Sequence, residues 1–183
     1  MNYYGAKDLA ASFRTVRKNT LAIAEDIPED QYNFQPTPDT KTAAQLLAHI
    51  AVSFNFQYQV HAEEARTTLE GYDFPSLMQR LQAEVEKSRS KDEIIELLKS
   101  GGEKWAQWVE GLSEDFLAER VTMPSGAEPA DKSRFEMILS VKEHEMHHRG
   151  QMMLIERLIG VVPQLTRQMQ ERRMAQMQEA AKE

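Results

Sequence analysis

Apolar residues recur every three or four positions along most of this chain, the spacing of helices with one buried face; the strict alternation of a half-buried strand is scarce. Leu9, Phe13, Val16, Leu21 and Ile23, with Ile27 nearby, predict a first helix from about residue 5 to 26, ended by Pro28 and the loop Gln35-Pro36-Thr37-Pro38-Asp39. Thr40 is read as the cap of a second helix running to about residue 64, with Ala43, Leu46, Leu47, Ile50 and Phe54 as its apolar stripe and His49 on the border. A short helix is expected after Pro75. Ser90-Lys91-Asp92-Glu93 then reads as a capping box before Ile94, Ile95, Leu97, Leu98, Trp105 and Trp108, and Gly101-Gly102 is expected to weaken or kink that helix. The two tryptophans are read as core.

Residues 113 to 132, with Pro124, Ser125, Gly126 and Pro129, read as a long connection with a short helical piece around Phe116 and Leu117. Ser133-Arg134-Phe135-Glu136 repeats the capping-box pattern and opens the best-defined helix, which runs to Gly160 and stops before Pro163. These signals predict an all-α chain: a four-helix bundle over residues 1–163, then a tail over 164–183 that is helical or partly disordered. The tail's stripe of Leu165, Met169, Met174 and Met177 is untidy, and no internal repeat or second domain is visible.

At 183 residues the chain can bury a real core without a staple, and it has no cysteine, which excludes disulfides, thiolate metal sites and a cysteine nucleophile. Any metal must take imidazole, carboxylate, carbonyl or water ligands. The lack of cysteine fits a reducing cytoplasm. No signal peptide or membrane span is expected, and a net charge of -7 without a basic block argues against nucleic-acid binding. The ten methionines fit either an adaptable core or a contact surface.

Three of the five histidines lie in Glu143-His144-Glu145-Met146-His147-His148-Arg149-Gly150-Gln151, midway along the long helix. Positions four apart stack on one face, so His144 and His148 can point at a common ion while His147 points aside. Both fall on the stripe of Met137, Val141, Met152, Ile155 and Ile159. Two buried neutral imidazoles are satisfied together by a divalent cation; the other reading places one ring in a core hydrogen bond and the other in water. Spacing alone leaves both open. His49, on another helix, is the candidate third ligand, and His61, beside Glu63 and Glu64, reads as surface.

The string H-E-x-x-H also suggests a metalloprotease with Glu145 as base. The extended form needs glycine at 151 and histidine at 154, where the chain has Gln151 and Leu154, and Glu171 as a late ligand lies beyond the Gly160 to Pro163 break. No strand precedes the helix to hold a peptide.

Gln45-Leu46-Leu47-Ala48-His49-Ile50 followed by His144-Glu145-Met146-His147-His148-Arg149-Gly150-Gln151 resembles the DinB/YfiT-like superfamily over roughly residues 5 to 163. The resemblance implies a four-helix bundle, often a homodimer, with one divalent metal on His49, His144 and His148. Family members of known activity include S-transferases and isomerases that use bacillithiol, mycothiol or glutathione, and the family name implies no DNA chemistry. The expected metal is zinc in the cell, with nickel in purified protein.

Three functions are therefore in view. One is a metal-dependent thiol S-transferase in which the metal holds a low-molecular-weight thiol as thiolate while an interhelical pocket positions a small electrophile. The others are a non-catalytic dimeric metal-binding stress-response protein and a metal-dependent hydrolase. Glu145, Arg149 and Gln151 are the candidate catalytic residues. Glu145 reads first as a solvated glutamate, Arg149 as its i,i+4 ion-pair partner or a site for a substrate carboxylate, and Gln151 as a residue behind the metal ligands.

Overall fold

The computed structural model describes residues 4–180. Four helices form a ring of packed neighbours in the order α1 (Ala6–Asp26), α5 (Lys91–Glu110), α2 (Ala43–Val52), α7 (Arg134–Leu158) and back to α1, so α1 and α2, consecutive in sequence, stand on opposite corners. The chain is thus an all-α four-helix bundle, as the periodicity predicts. Between them lie α3 (Asn55–Tyr58), α4 (Phe74–Glu86), which packs outside α2, and α6 (Glu114–Ala118).

The capping boxes at Ser90 and Ser133 form as read, each serine accepting from the backbone N–H of the glutamate three residues on. The second helix begins later than expected. Thr42, not Thr40, is its cap, because Gln45 stands three residues beyond Thr42 and completes the reciprocal bond; Thr40 instead closes a turn onto Thr37. Nor does it run unbroken to 64. It gives way to α3 and a π-helical turn over Gln59–Glu63, and a wider turn of this kind shifts which side chains face inward.

Gly101 and Gly102 do not break α5. Gly102 is needed for close approach: a Cβ there would lie 2.9 Å from Cγ of Arg17 on α1, and one on Gly101 would meet the Phe54 ring at 3.0 Å. The 113–132 connection holds α6 as expected, but it also forms a small antiparallel hairpin, β1 (Arg120–Thr122) and β2 (Asp131–Ser133), so a three-residue strand does precede α7, contrary to the reading that none would. Gly160, at φ +83°, ends α7 with the Val161 N–H on the Glu156 carbonyl. The tail forms α8 (Gln164–Ala180), tied to the bundle at its first turn by Arg167 with Asp26 and by Thr166 with Arg157; residues 181–183 lie outside the described residues.

The core is divided. One apolar cluster gathers Ile23, Leu47, Ile50, Leu98, Met152 and Ile155, and another gathers Phe13, Phe54, Trp105, Ile138 and Val141. Along α1 the buried polar residues between the two are Arg17 and Thr20, beside the apolar Val16, and along α7 the polar residues there include His144, Glu145 and His148. A polar layer therefore crosses the waist of the bundle.

Candidate metal centre

At that waist the Nε2 atom of His49 on α2 lies 3.2 Å from Nε2 of His144 and 3.1 Å from Nε2 of His148, while the latter two, one turn apart on α7, are themselves 3.1 Å apart. Three imidazoles thus present the same ring atom to one point. His144 and His148 are half-buried as the stripe requires, and the structure brings together the three residues that the sequence marked.

Burial, and then the neighbouring imidazoles, hold His49 and His144 down at about 4, and burial also lowers His148. The rings are therefore neutral at pH 7. The His148 tautomer follows from its outer bond: Nδ1 lies 2.8 Å from the Gln151 carboxamide oxygen, which only accepts, so Nδ1 carries the hydrogen and Nε2 an outward lone pair. The Gln151 amide nitrogen turns to Nε2 of the exposed His147, which points aside as expected.

A closed triangle of neutral Nε2 atoms cannot satisfy itself, because each proton between two rings serves one lone pair and leaves another facing nitrogen. A divalent cation accepts all three. Nitrogens at 2.0–2.1 Å from one ion are roughly 2.9 Å apart at right angles and roughly 3.4 Å apart at the tetrahedral angle; the observed 3.1–3.2 Å falls between. The donor set fits a zinc- or nickel-type ion.

Glu145 corrects the expectation of a solvated side chain. It is 1% exposed, and its carboxylate takes Nε and Nη2 of Arg17 at 2.9–3.1 Å and the Thr20 hydroxyl at 2.7 Å. Arg17 spends Nη1 on the Leu98 carbonyl in the space that Gly102 leaves. The i,i+4 pair of Glu145 with Arg149 is accordingly absent, because Arg17 already holds the carboxylate; Nε of the half-buried Arg149 has no hydrogen-bond partner among the described residues. A carboxylate so engaged is no general base, which removes the metalloprotease reading on geometric grounds.

His61 is also not at the surface. The π-helical turn buries it to 2% exposure, where Nδ1 accepts from Arg134 and Nε2 donates to the Gln57 carboxamide, and burial lowers it to about 4. Sequence reading missed Arg17, although it stands on the core face of α1 between Phe13 and Thr20, where an arginine needs a buried partner.

A cleft of about 360 Å³ opens beside His49 and His144 between α2, α4 and α7, walled by Phe56, Met78, Leu81 and Val141 with Ser53, Gln57 and Ser140 as its polar groups. Among the described residues no carboxylate lines it.

These features define a four-helix bundle with a three-histidine centre set across two facing helices. The chain belongs to the DinB superfamily, whose profile matches residues 12–152. It is 27% identical over 155 residues to YjoA of Bacillus subtilis, itself uncharacterised, covering 85% of this chain and 91% of that one. The crystal structure of that DinB-like protein superposes with a TM-score of 0.60 at 23% identity, over 83% of this chain and 92% of the other. YfiT of Bacillus subtilis, described as a probable metal-dependent hydrolase with an unusual four-helix bundle topology, superposes with a TM-score of 0.63 at 16% identity, over 85% and 88%. No helix among the described residues is long and apolar enough to cross a membrane.

Proposed function

We propose that this chain is a divalent-metal-dependent thiol S-transferase in which His49, His144 and His148 hold one cation, zinc in the cell and nickel in some preparations. The observation that supports it most is the convergence of three neutral imidazoles at the edge of an open, mostly apolar cleft. Structural sites close their coordination with four protein ligands, and no fourth histidine or carboxylate joins these three among the described residues. When bound, the cation would supply Lewis acidity that favours a thiolate over a thiol at neutral pH. The chain's own residues do the rest. Phe56, Met78, Leu81 and Val141 exclude water and seat an uncharged electrophile, and Gln151 fixes the tautomer of His148.

YfiT's description raises hydrolysis as a second reading. Metal hydrolases commonly pair the ion with a carboxylate base, and here the cleft has none while Glu145 is bound to Arg17. A thiolate needs no such base, so transfer ranks first. A homodimer belongs to the proposal too; sedimentation of the purified chain tests it.

The experiment is metal analysis of wild type and His144→Ala after loading with zinc or nickel, followed by conjugation assays of the loaded protein with bacillithiol, mycothiol and glutathione against a chloroarene electrophile. One equivalent of metal in wild type, little in the variant, and metal-dependent conjugation are expected. Absence of stoichiometric metal under every loading condition overturns the metal centre, and bound metal without conjugation by any thiol overturns the transferase.

A further inference from the structure

The histidine cluster faces two clefts. Beyond His49 and His144 lies the apolar cleft already described, in which no charged side chain takes part. Beyond His148 a second cleft of about 410 Å³ opens between the loop at 36–41 and the C-terminal half of α7, with Leu154 and Ile155 as its apolar wall. Its two charged residues are Asp39 and Lys41.

We propose that this second cleft is an anion subsite, in which Lys41 receives a carboxylate of a small anionic co-substrate beside His148, while the apolar cleft on the far side receives the uncharged reactant. Naming the anion a co-substrate rests on the transferase reading; the preference for an anion is a property of the chain with or without metal.

Four observations support it. Lys41 is half-buried, yet its ammonium has neither an ion pair nor a hydrogen bond among the described residues, in a chain with 29 acidic residues against 22 basic ones. Asp39, the acidic residue of the same cleft, is exposed and its carboxylate accepts from the Thr37 hydroxyl at 2.6 Å. The loop that leads into Lys41 is stiffened by Gln35, whose amide donates to the carbonyls of Pro38 and Thr40, and by the Thr37–Thr40 turn, so the backbone from which the cation projects is held in place. Lys41 and His148 also line the same cleft, which places the cation on the side of the cluster that His148 closes. A half-buried cation with no counter-ion among the described residues, next to three converging neutral imidazoles, is poised for a ligand that brings its own negative charge.

The test uses two small probes of one shape, succinate and its neutral diamide succinamide, titrated by NMR into metal-free and zinc-loaded wild type, Lys41→Met and Lys41→Arg, with toluene as the apolar probe. Succinate is expected to bind at least tenfold more tightly than succinamide and to shift His148 and Gln151. Lys41→Met is expected to erase that preference, Lys41→Arg to keep it, and neither to change toluene binding. Met78→Asp should weaken toluene tenfold and leave succinate alone. Equal binding of the two probes, a preference that survives Lys41→Met, or shifts away from His148 overturn the subsite. If zinc fails to bind while the Lys41-dependent preference persists in metal-free protein, the metal reading falls and the subsite stands. If zinc binds and succinate follows zinc regardless of Lys41, the reverse holds.

Discussion

His61 and the three converging histidines are all drawn from the helical segments of the bundle, and all are held neutral by burial, yet their nitrogens end differently. His61 has a donor on one side, Arg134, and an acceptor on the other, Gln57, so nothing further is required of it. The Nε2 atoms of His49, His144 and His148 meet only one another. The same contrast separates two buried glutamates of α7. Glu145 is filled by Arg17 and Thr20, whereas Glu156, 0% exposed, has no hydrogen-bond partner for either oxygen among the described residues. Burial of a titratable group is therefore no sign of function. Nor is a missing partner by itself, since Glu156 stands alone; the informative sign is convergence, and at the waist three half-buried imidazole nitrogens face one point.

The comparison breaks first on metal. Removing one of three ligands is expected to cost more than the roughly 10- to 100-fold that loss of an outer partner costs, so His144→Ala should bind zinc more than about a hundredfold more weakly in calorimetric titration. His61→Ala should keep full stoichiometry and lose only stability. Equal loss in both variants would show that the two environments are not distinct.

The next effect falls on the satisfied pair. Arg17→Met leaves the Glu145 charge buried without a partner, a change that typically costs about 3–5 kcal/mol, whereas replacing both members with apolar residues restores much of that. Denaturant unfolding of Arg17→Met, Glu145→Leu and the double variant measures it. Additive single effects would mean that the two side chains are not coupled.

Glu156 gives the pH-dependent case. Burial, assisted by Asp26 and opposed by Arg167 and Arg157, lifts it from 4.5 to about 7. The folded value exceeds the unfolded one, so the folded chain holds its proton longer, and the stability this group contributes is full below about 4.5 and lost as pH rises through about 7. Glu156→Gln removes the ionisation and should stabilise the protein at pH 8 by on the order of 2–3 kcal/mol, with almost no effect at pH 4. A benefit independent of pH would assign the strain to shape instead of charge.

What the sequence shows of this contrast depends on distance along the chain. Capping boxes at Ser90 and Ser133 are complete within four residues, so the starts of α5 and α7 could be read directly; Thr42 was equally local, and Gln45 was the signal that chose it over Thr40. The i,i+4 pair of His144 and His148 is local as well, which is why half of the site was legible from helix geometry, while His49 needed the family resemblance. Glu145 lies 128 residues from Arg17, and no local pattern announces a partner at that range. His61 was misplaced because its acidic neighbours suggested a solvated face, but the π-helical turn at 59–63 rotates it inward. Short-range rules located the elements; pairing across the bundle decided which polar residues were content.

The smallest expected effect sharpens the boundary between the two classes. Gln151 is exposed, touches no cation position itself, and acts through the Nδ1–H of His148 that its carboxamide oxygen accepts. Loss of that bond in Gln151→Ala frees the ring to take the tautomer that places its hydrogen on Nε2, toward His49 and His144, and so competes with metal binding. A drop in zinc affinity near tenfold, or about 1.4 kcal/mol, is expected. Gln151→Glu keeps an acceptor at the same reach, and a carboxylate makes the ring a stronger donor to a cation, so affinity should return to at least the wild-type level. If Gln151→Ala weakens zinc but Gln151→Glu fails to restore it, the glutamine acts by filling space beside His147, and the orientation of His148 must come from α7 alone.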